Sequence, residues 1–451
     1  MANRKKKRKI PNNIKLAALF LIVSWIMCFC IYEGYYIKQF KKIDLTFDIW
    51  KSVKKNKDKK FTETDNREIG IVITNKGVKY FNTITFKSNG VIKVSNKNNL
   101  SHTYTLNIDN MENDKQIEIR CDKKMKLDNI SDYCYSGYFV AQKTSLGIVL
   151  VNRVNIEDYI EGVVASEMPS SFEKEALKAQ AICARTFTYK HLKNNKYKKY
   201  KAIMDDTTAY QVYGVTNPCS AIIDSVKETE KIVITSDDKL INAYYFSTSC
   251  GMTTNYKIWN SKMNYLKSVS VAKEDFTAKA DTGDFYNSFL KTDDIKAYEK
   301  DCPYFRWKVT IPKQAIENKI YEIEGVLVGN IKKIDIEKRD EGGSASKIKI
   351  KGSIKDTVIE GQMNIRKIFC PYGNELELHD GSVRNEMNML PSSFIVIEQK
   401  EDCVTIFGGG YGHGSGMSQY GANELAKSGK NAEDIIRYFY SGVDCESRYI
   451  N

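Results

Sequence analysis

Residues 159–191 read YIEGVVASEMPSSFEKEALKAQAICARTFTYKH, the pattern of a helix, a tight turn and a second helix. Apolar residues recur at i, i+3, i+4, i+7 and i+8 and form one stripe on the first helix: Ile156, Tyr159, Ile160, Val163 and Val164. Pro169 disfavours helical geometry at Met168, so the first helix is predicted to end there.

The second helix is predicted to begin just after Pro169. Ser170 and Glu173 have the spacing of a capping box, which marks a helix N-terminus. Residues 175–181 are rich in good helix formers, and the helix is predicted to run to about His191.

Glu167 is left in the turn between the two helices, next to Ala165 and Met168. A carboxylic acid can protonate a glycosidic oxygen if its surroundings raise its pKa. The apolar neighbours favour a raised pKa, whereas the N-terminus of the second helix favours a lowered one. The residues alone leave two interpretations open, a catalytic acid and a helix-capping carboxylate.

The net charge of +13 is confined to the start of the chain. The first 60 residues carry 16 Lys/Arg and 4 Asp/Glu, and the other residues carry 53 and 52, a net charge of only +1. Because the rest of the chain has almost no net charge and no basic–aromatic groove is identified there, a nucleic-acid partner is not expected.

Residues 16–32 are uncharged and mostly apolar, long enough to span the hydrocarbon layer of a membrane. The basic run at 4–9 places the N-terminus in the cytoplasm and the body outside. Because no small-residue cleavage site follows, we predict an uncleaved anchor at 14–32, after a cytoplasmic tail at 1–13. The linker at 33–68 contains a lysine-rich stretch that is either simply solvated or touches anionic lipid.

The chain has 11 cysteines, of which Cys28 and Cys30 lie in the predicted anchor. The other nine are scattered, without a C-x-x-C pair. Cys121 and Cys134 are the one pair considered for a disulfide, across a hairpin-like stretch. The composition is not that of a disulfide scaffold.

Residues 69–151 alternate between apolar and polar in short segments with turn residues between them. This pattern predicts a β-rich module that acts as a scaffold. Residues 152–451 are predicted to form a mixed α/β body with an insertion at about 261–400, so the fold class is α+β. Within the body we predict helices at 224–229, 293–299, 418–427 and 432–440, and strands at RWKVTI and KIKIK.

Residues 408–421 form a glycine-rich loop that also contains Tyr411, His413, Ser415 and Gln419. Glycines allow a backbone to approach a ligand closely. The surroundings lack the βαβ unit and the lysine of a nucleotide site, so phosphate binding is discounted. A structural and a catalytic role for His413 are equally open.

Hydroxyl, amide and aromatic side chains cluster in two further motifs, with few charges: Thr207, Thr208, Gln211 and Tyr213, then Tyr244, Tyr245, Ser247, Ser249 and Trp259. This mixture suits a sugar chain, although an ordinary β-sheet surface would look the same. The four histidines are far apart and show no metal-ligand spacing, so no metal and no cofactor are predicted.

Four motifs in this order resemble the SpoIID/LytB family: EGVVASEMPSSFEKEALKAQAICARTF, DTTAYQVYG, YYFSTSCG and GGGYGHGSGMSQYGA. The resemblance covers roughly residues 152–443. It implies a membrane-anchored lytic transglycosylase that cleaves peptidoglycan glycan strands and is associated with sporulation. It also implies a cell-wall amidase and a membrane scaffold of engulfment as partners.

The resemblance implies that Glu167, the glutamate of the EMP motif, is the catalytic acid. Lys178 and Arg185 would hold the substrate or orient Glu167. The cleft would be lined by Gln211, Tyr213, Tyr245, Ser249, His413 and Gln419. Two other interpretations stay open, a non-catalytic glycan-binding enhancer of a partner amidase, and a hydrolase in which Asp205 or Asp206 assists Glu167.

The chain also departs from the family pattern. Residues 192–212 contain no His or Cys, the residues with which some members hold a structural zinc. Cys250 stands where a glycine is usual, and Thr254 where a glutamate is common. The long β-rich stretch before the catalytic motif suggests a relative with a different place in the cell cycle.

Overall fold

The computed structural model of the protein describes residues 67–95, 97–112, 115–255, 263–275, 283–292 and 295–447. The predicted tail, the predicted anchor at 14–32 and all but the last two residues of the predicted linker lie outside the described residues, as does Trp259. In the part of the chain that is described, no helix is long and apolar enough to cross a membrane.

The first strands follow one another closely, as the alternating pattern predicts. They are β1 (Glu68–Ile73), β2 (Thr83–Val94), β3 (Lys97–Asn107), β4 (Gln116–Arg120), β5 (Met125–Asp128), β6 (Ser131–Tyr135), β7 (Tyr138–Thr144) and β8 (Gly147–Asn155). Buried side chains alternate with more exposed ones along β4 and β5, so one face of these strands lies against the core.

Helices α1 (Ile156–Glu167) and α2 (Lys174–His191) follow β8 directly and lead to β9 (Met204–Asp205). Strands β1–β9 form one nine-stranded sheet in the order β6-β5-β2-β4-β7-β8-β1-β9, with β3 beside β2. Strand β9 runs parallel to β1 and places Met204 opposite Ile71. Because Ile71, Met204 and Tyr159 belong to one buried cluster, the sheet and the two helices share a core.

Helix α1 confirms the predicted stripe, since its five apolar residues are all buried. Met168 is extended, with φ −125° and ψ 141°, and ends α1 just before Pro169 as predicted. The predicted capping box is wrong. Helix α2 begins only at Lys174, and the preceding Glu173 makes no side-chain capping bond. The Glu173 N–H, which Ser170 was expected to cap, donates instead to Asn423 Oδ1 at 2.8 Å.

The predicted helix, strand, turn and strand after β9 are confirmed. They are α3 (Ser220–Glu228), β10 (Ile232–Ser236) and β11 (Lys239–Leu240), followed by β12 (Tyr245–Phe246). Asp237 and Asp238 both have positive φ, 50° and 59°, which forms the tight turn between β10 and β11.

The disulfide considered for Cys121 and Cys134 is wrong, because both cysteines are free. Cys134 lies on β6 opposite Lys126, five residues beyond Cys121. The Cys121 Sγ instead contacts the Ser88 hydroxyl at 3.2 Å. The two thiols are therefore out of register across the hairpin.

The central part of the chain builds two further sheets. Its elements are α4 (Gly283–Phe289), β13 (Trp307–Pro312), α5 (Lys313–Glu324), β14 (Ile331–Arg339), β15 (Ala345–Gly352), β16 (Thr357–Glu360), α6 (Gln362–Ile368), β17 (Leu376–Leu378), β18 (Val383–Arg384), β19 (Ile395–Gln399) and β20 (Cys403–Gly408). One sheet has the order β18-β17-β13-β20-β19 and the other β14-β15-β16. The strands predicted at RWKVTI and KIKIK are confirmed as β13 and β15.

The helix predicted at residues 293–299 is wrong for its described part. Residues 295–299 are not helical, and Ala297 forms an isolated antiparallel bridge with Ala272. This bridge requires extended backbone, so the segment is held by a contact with a distant part of the chain and not by local helical bonds.

The C-terminal elements are β21 (Met417–Ser418), α7 (Gln419–Lys427), α8 (Ala432–Phe439) and β22 (Asp444–Ser447), and the two helices confirm the prediction. Strand β21 pairs with β12 in parallel, and β22 pairs with β10. The end of the chain thus returns to the helices that follow the first sheet. The α+β fold class is confirmed.

Candidate active site

Glu167 is the last residue of α1, not a residue of the turn as predicted, and its side chain is half-buried. Its Oε1 accepts a hydrogen bond from the Val212 N–H at 2.8 Å. Its Oε2 accepts one from the Gln419 side-chain amide at 3.3 Å. The glycine-rich loop and the DTTAYQVYG motif therefore both reach the carboxyl group at the end of α1.

Burial raises the pKa of Glu167 above its ordinary value, and the hydrogen bonds from Val212 and Gln419 and the nearby Tyr245 hydroxyl oppose the rise. The Tyr245 hydroxyl is itself buried, close to the Glu167 carboxyl group. Helix α2 begins seven residues after Glu167, at Lys174. Desolvation therefore outweighs the opposing hydrogen bonds at Glu167.

The glycine-rich loop lies against the backbone that follows β12. Tyr411 and Thr248 form a bridge in which each donates its N–H to the carbonyl of the other, at 2.7 and 3.1 Å. Gly416 has φ 77°, and a Cβ there would lie 2.0 Å from the Tyr244 carbonyl oxygen. The glycine is required so that two backbone segments can touch, which places Gln419 at Glu167.

The His413 ring hydrogen bonds two backbone groups of the protein. Its Nδ1 accepts the Ser415 N–H at 3.1 Å, and its ring also hydrogen bonds the Tyr245 carbonyl. Burial, followed by the nearby Arg366 charge, lowers the pKa of His413 to about 4. The imidazole is therefore neutral at pH 7, and it fixes the backbone that carries Tyr245.

Lys178 and Arg185 have carboxylate partners of their own, away from the contacts of Glu167. Lys178 Nζ lies 2.8 Å from a Glu175 oxygen and 2.9 Å from a Glu228 oxygen. The fully buried Arg185 donates its Nε and Nη2 to Glu157 at 2.8 and 2.6 Å. Arg185 can orient α1 through Glu157, whereas substrate contact by either side chain stays a prediction.

Three other predicted cleft residues are buried, with different surroundings. Tyr213 donates its hydroxyl to Asn152 at 2.8 Å, inside a cluster of tyrosines. Gln211 accepts the Thr188 hydroxyl at 3.3 Å, while its Nε2 has no partner in the described structure. Ser249 contacts Glu299 through its N–H and its hydroxyl. Of the predicted cleft residues, the structure brings Gln419 and Tyr245 to Glu167.

Asp205 and Asp206, the candidate partners of a hydrolase, are held elsewhere. Asp205 accepts the Thr207 N–H and hydroxyl at 3.1 and 2.6 Å. Asp206 accepts the Thr74 N–H and hydroxyl at 3.0 and 2.7 Å, and burial raises the pKa of Asp206 to about 6. Neither carboxylate hydrogen bonds Glu167, and the role of an assisting aspartate stays a prediction.

Glu299 is a buried acid that sequence reasoning did not single out as a site residue. It has no exposed surface, and burial raises the pKa of Glu299 to about 7. No local signal distinguishes it from a surface glutamate, because its partners Ser249 and Ser418 are 50 and 119 residues away. In the described ranges, no group of three or more His, Cys, Asp or Glu side chains could hold a metal ion.

Two family models match the chain. One, described as Stage II sporulation protein (SpoIID), matches residues 144–236, which contain Glu167, Lys178, Arg185, Gln211 and Tyr213. The other, a domain of unknown function (DUF8618), matches residues 253–416. The first model therefore includes α1 and α2, and the second includes Glu299 and most of the glycine-rich loop.

Three relatives align with about two thirds of the chain. Stage II sporulation protein D of Bacillus subtilis (strain 168) is 28% identical over 65% of this chain and 75% of its own length. The protein of the same name from Bacillus amyloliquefaciens is 29% identical over the same shares. The amidase enhancer of Bacillus subtilis is 28% identical over 64% of this chain but only 40% of its own length. Residues 144–236 therefore contain a SpoIID domain, and the resemblance to the SpoIID/LytB family that the four motifs carry is confirmed.

Proposed function

We propose that this protein is a lytic transglycosylase that cleaves peptidoglycan glycan strands with Glu167 as its single acid–base residue. The observation that carries the proposal is the state of that carboxyl group. It is half-buried, its pKa is raised by desolvation, and its hydrogen-bond donors are the neutral Val212 N–H and Gln419 amide. In the described part of the chain Glu167 forms no ion pair, so no fixed cation holds the carboxyl group in its ionised form.

The reaction needs one carboxyl group in two steps. Protonated Glu167 first gives its proton to the glycosidic oxygen, and the bond between that oxygen and the anomeric carbon of the muramic sugar breaks. The resulting carboxylate then takes the proton of the sugar's own 6-hydroxyl, whose oxygen bonds to the same anomeric carbon. The acid is regenerated, a 1,6-anhydro ring forms and no water is consumed. The two carboxylates of ordinary glycoside hydrolases are therefore not needed.

The hydrogen-bond donors around Glu167 suit both its protonated and its ionised form. Between the two steps the carboxylate is negatively charged, and the Val212 N–H and the Gln419 amide stabilise that charge by hydrogen bonding. The buried Tyr245 hydroxyl lies near the Glu167 carboxyl group and can donate a hydrogen bond to the carboxylate or to a substrate hydroxyl.

The cellular setting is part of the same proposal. Peptidoglycan lies outside the cytoplasmic membrane, where the predicted anchor at 14–32 would place the body. A role in sporulation-associated wall remodelling is supported by the name of the stage II sporulation protein D relatives. A cell-wall amidase is the expected partner, together with a membrane scaffold of the engulfment machinery.

A second candidate function is a non-catalytic glycan-binding protein that stimulates a partner amidase. The observation that favours it is the relative named amidase enhancer. In this case Glu167 and Gln419 would bind glycan without proton transfer. The two candidates differ in whether the glycan strand is cut.

The test is digestion of isolated glycan strands by the purified full-length chain, with products identified by mass spectrometry. We expect anhydro-muramic ends and a loss of about 10³-fold or more in rate for Glu167→Gln, which cannot donate a proton. Glu161→Gln, on the same helix, is the matched control and should stay within about twofold of the wild type. Water-terminated sugars, or an active Glu167→Gln variant, would reject the proposal, and binding without cleavage would favour the enhancer.

A further inference from the structure

Glu299 lies at the centre of a buried hydrogen-bond cluster that the proposed reaction does not use. Its Oε1 accepts the Ser249 N–H at 2.9 Å and the Ser418 hydroxyl at 2.6 Å. Its Oε2 accepts the Ser249 hydroxyl, and the Ser418 hydroxyl oxygen in turn accepts the Gly421 N–H at 3.2 Å. The carboxyl group thus joins two segments that are far apart in sequence.

Both segments lead to Glu167. The first carries Tyr245 on β12, four residues before Ser249. The second begins with Ser418, the N-cap of α7, whose next residue Gln419 donates to Glu167 at 3.3 Å. The two segments pair as β12 and β21, but this parallel ladder is only two residues long on each strand. So short a ladder fixes its strands weakly, and a second connection is needed to hold them.

We propose that Glu299 is a positioning residue of the cleavage site, which clamps the Ser249 and Ser418 segments together so that Gln419 and Tyr245 stay at the Glu167 carboxyl group. The expected effect on turnover rests on the proposed function. The expected effect on the environment of Glu167 does not, because it follows from the hydrogen bonds alone.

The titratable side chains around Glu299 are uncharged at pH 7, which fits its role as a clamp. The titratable groups that face Glu299 are Cys250, Cys302 and Tyr438. Burial raises the pKa of all three, to about 11 for Cys250 and about 12 for Tyr438, so they are neutral at pH 7. Three donors, the Ser249 N–H and the Ser249 and Ser418 hydroxyls, converge on the two oxygens of this one carboxyl group. A glutamine would turn its NH₂ group toward at least one of these donors.

This role also connects the two matched regions of the chain. Glu299 lies within residues 253–416, the match to the domain of unknown function, whereas Glu167 lies within residues 144–236. One contribution of the central region is therefore a buried carboxyl group that sets the geometry of a site built by the rest of the chain.

The test compares Glu299→Gln with the wild-type full-length chain in two measurements. On isolated glycan strands we expect kcat to fall about tenfold or more, with KM within about threefold, because misplaced catalytic groups slow the chemical step more than binding. In a ¹³C NMR titration of labelled glutamate carboxyls, with the Glu167 signal identified by its absence in Glu167→Gln, we expect the pKa of Glu167 to rise. The Gln419 hydrogen bond, which holds that pKa down, would be weakened.

Glu424→Gln, on the exposed side of α7, is the control and should change neither measurement. If Glu299→Gln does not fold, Ser418→Ala and Ser249→Ala each remove one hydroxyl donor and should shift the Glu167 titration in the same direction. A folded Glu299→Gln, or folded serine variants, with an unchanged Glu167 titration would overturn the inference. A wild-type chain that releases no anhydro ends would reject the proposed function alone, since the titration still decides the role of Glu299.

Discussion

The two ends of helix α1 carry glutamates with opposite surroundings. Glu157, in the first turn, is held by the buried Arg185 guanidinium through two nitrogens, at 2.8 and 2.6 Å. Glu167, at the last position, is half-buried and receives hydrogen bonds from a neutral N–H and a neutral amide. A fixed cationic partner commits a carboxylate to holding the fold, whereas neutral donors leave the other carboxyl group able to exchange a proton.

The difference between the two ends of α1 predicts a large loss of stability when the carboxylate at the Glu157 end is removed. Glu157→Gln removes the charge that pairs with Arg185, which has no exposed surface. Breaking a buried ion pair leaves an uncompensated charge, and we expect the free energy of unfolding to fall by about 3 kcal/mol. Urea unfolding of the full-length chain measures this loss, with Glu161→Gln as the control.

Glu167→Gln should have the opposite result in the same assay. It removes a carboxyl group whose pKa is raised by burial, so the free energy of unfolding should stay the same or rise slightly. A loss of less than about 1 kcal/mol for Glu157→Gln, or a larger loss for Glu167→Gln than for Glu157→Gln, would contradict the distinction between the two ends.

The buried Glu299 adds a third glutamate to the comparison, because its titration should make the free energy of unfolding depend on pH. Its pKa is about 7 in the folded chain and near 4.5 when unfolded, so the folded state binds the proton more tightly. The stability linked to this group is fully present below about pH 4.5 and is lost as the pH rises to about 7. We expect the free energy of unfolding to fall between pH 5 and 7.5, by an amount on the order of 2 kcal/mol.

Urea unfolding at several pH values measures this dependence, and Glu299→Gln should show a clearly shallower decline. His413 has the opposite sign, because its pKa of about 4 is below its ordinary value of 6.5. Its contribution is lost only as the pH falls through the range from 6.5 to 4, so it does not account for a decline above pH 6.5. Equal slopes in the wild type and Glu299→Gln would show that Glu299 does not titrate in this range.

A substitution of Gln419 tests directly whether a neutral hydrogen-bond donor matters at the Glu167 end of α1. Gln419→Ala removes the amide that donates to Glu167 at 3.3 Å. We expect kcat on glycan strands to fall about tenfold, the loss typical of one hydrogen bond to a charged group. The pKa of Glu167 should rise at the same time, because the lost hydrogen bond opposed the effect of burial. Lys427→Gln, on the same helix, should leave both quantities unchanged.

Local patterns predicted most of the helices around the site. The apolar stripe of α1, its end at Pro169 and the length of α2 all depend on residues within a few positions of each other, which sequence periodicity reports directly. The family resemblance also implied that the glycine-rich loop and Glu167 belong to one site, and the Gln419 contact is consistent with this.

Contacts over long sequence separations could not be predicted in the same way. The capping box failed because Asn423, 250 residues away, takes the Glu173 N–H. The helix predicted at 293–299 failed because residue 297 bridges to Ala272. Glu299 carries no local signal of burial, since its partners converge on it only in the folded chain. Charge partners are equally invisible, so the sequence did not show that Arg185 pairs with Glu157.

Lys178 provides the smallest expected effect and separates the family resemblance from the observed contacts. Its ammonium group lies between Glu175 and Glu228, with 19% of the side chain exposed and the two carboxylates 34% and 43% exposed. Partly solvated ion pairs contribute little, so Lys178→Met should lower the free energy of unfolding by less than about 1 kcal/mol. Because the ammonium group already has two partners, KM for glycan strands should stay within about twofold. A tenfold rise in KM with unchanged stability would instead place Lys178 on the substrate, and the cleft would then extend along α2 beyond Glu167.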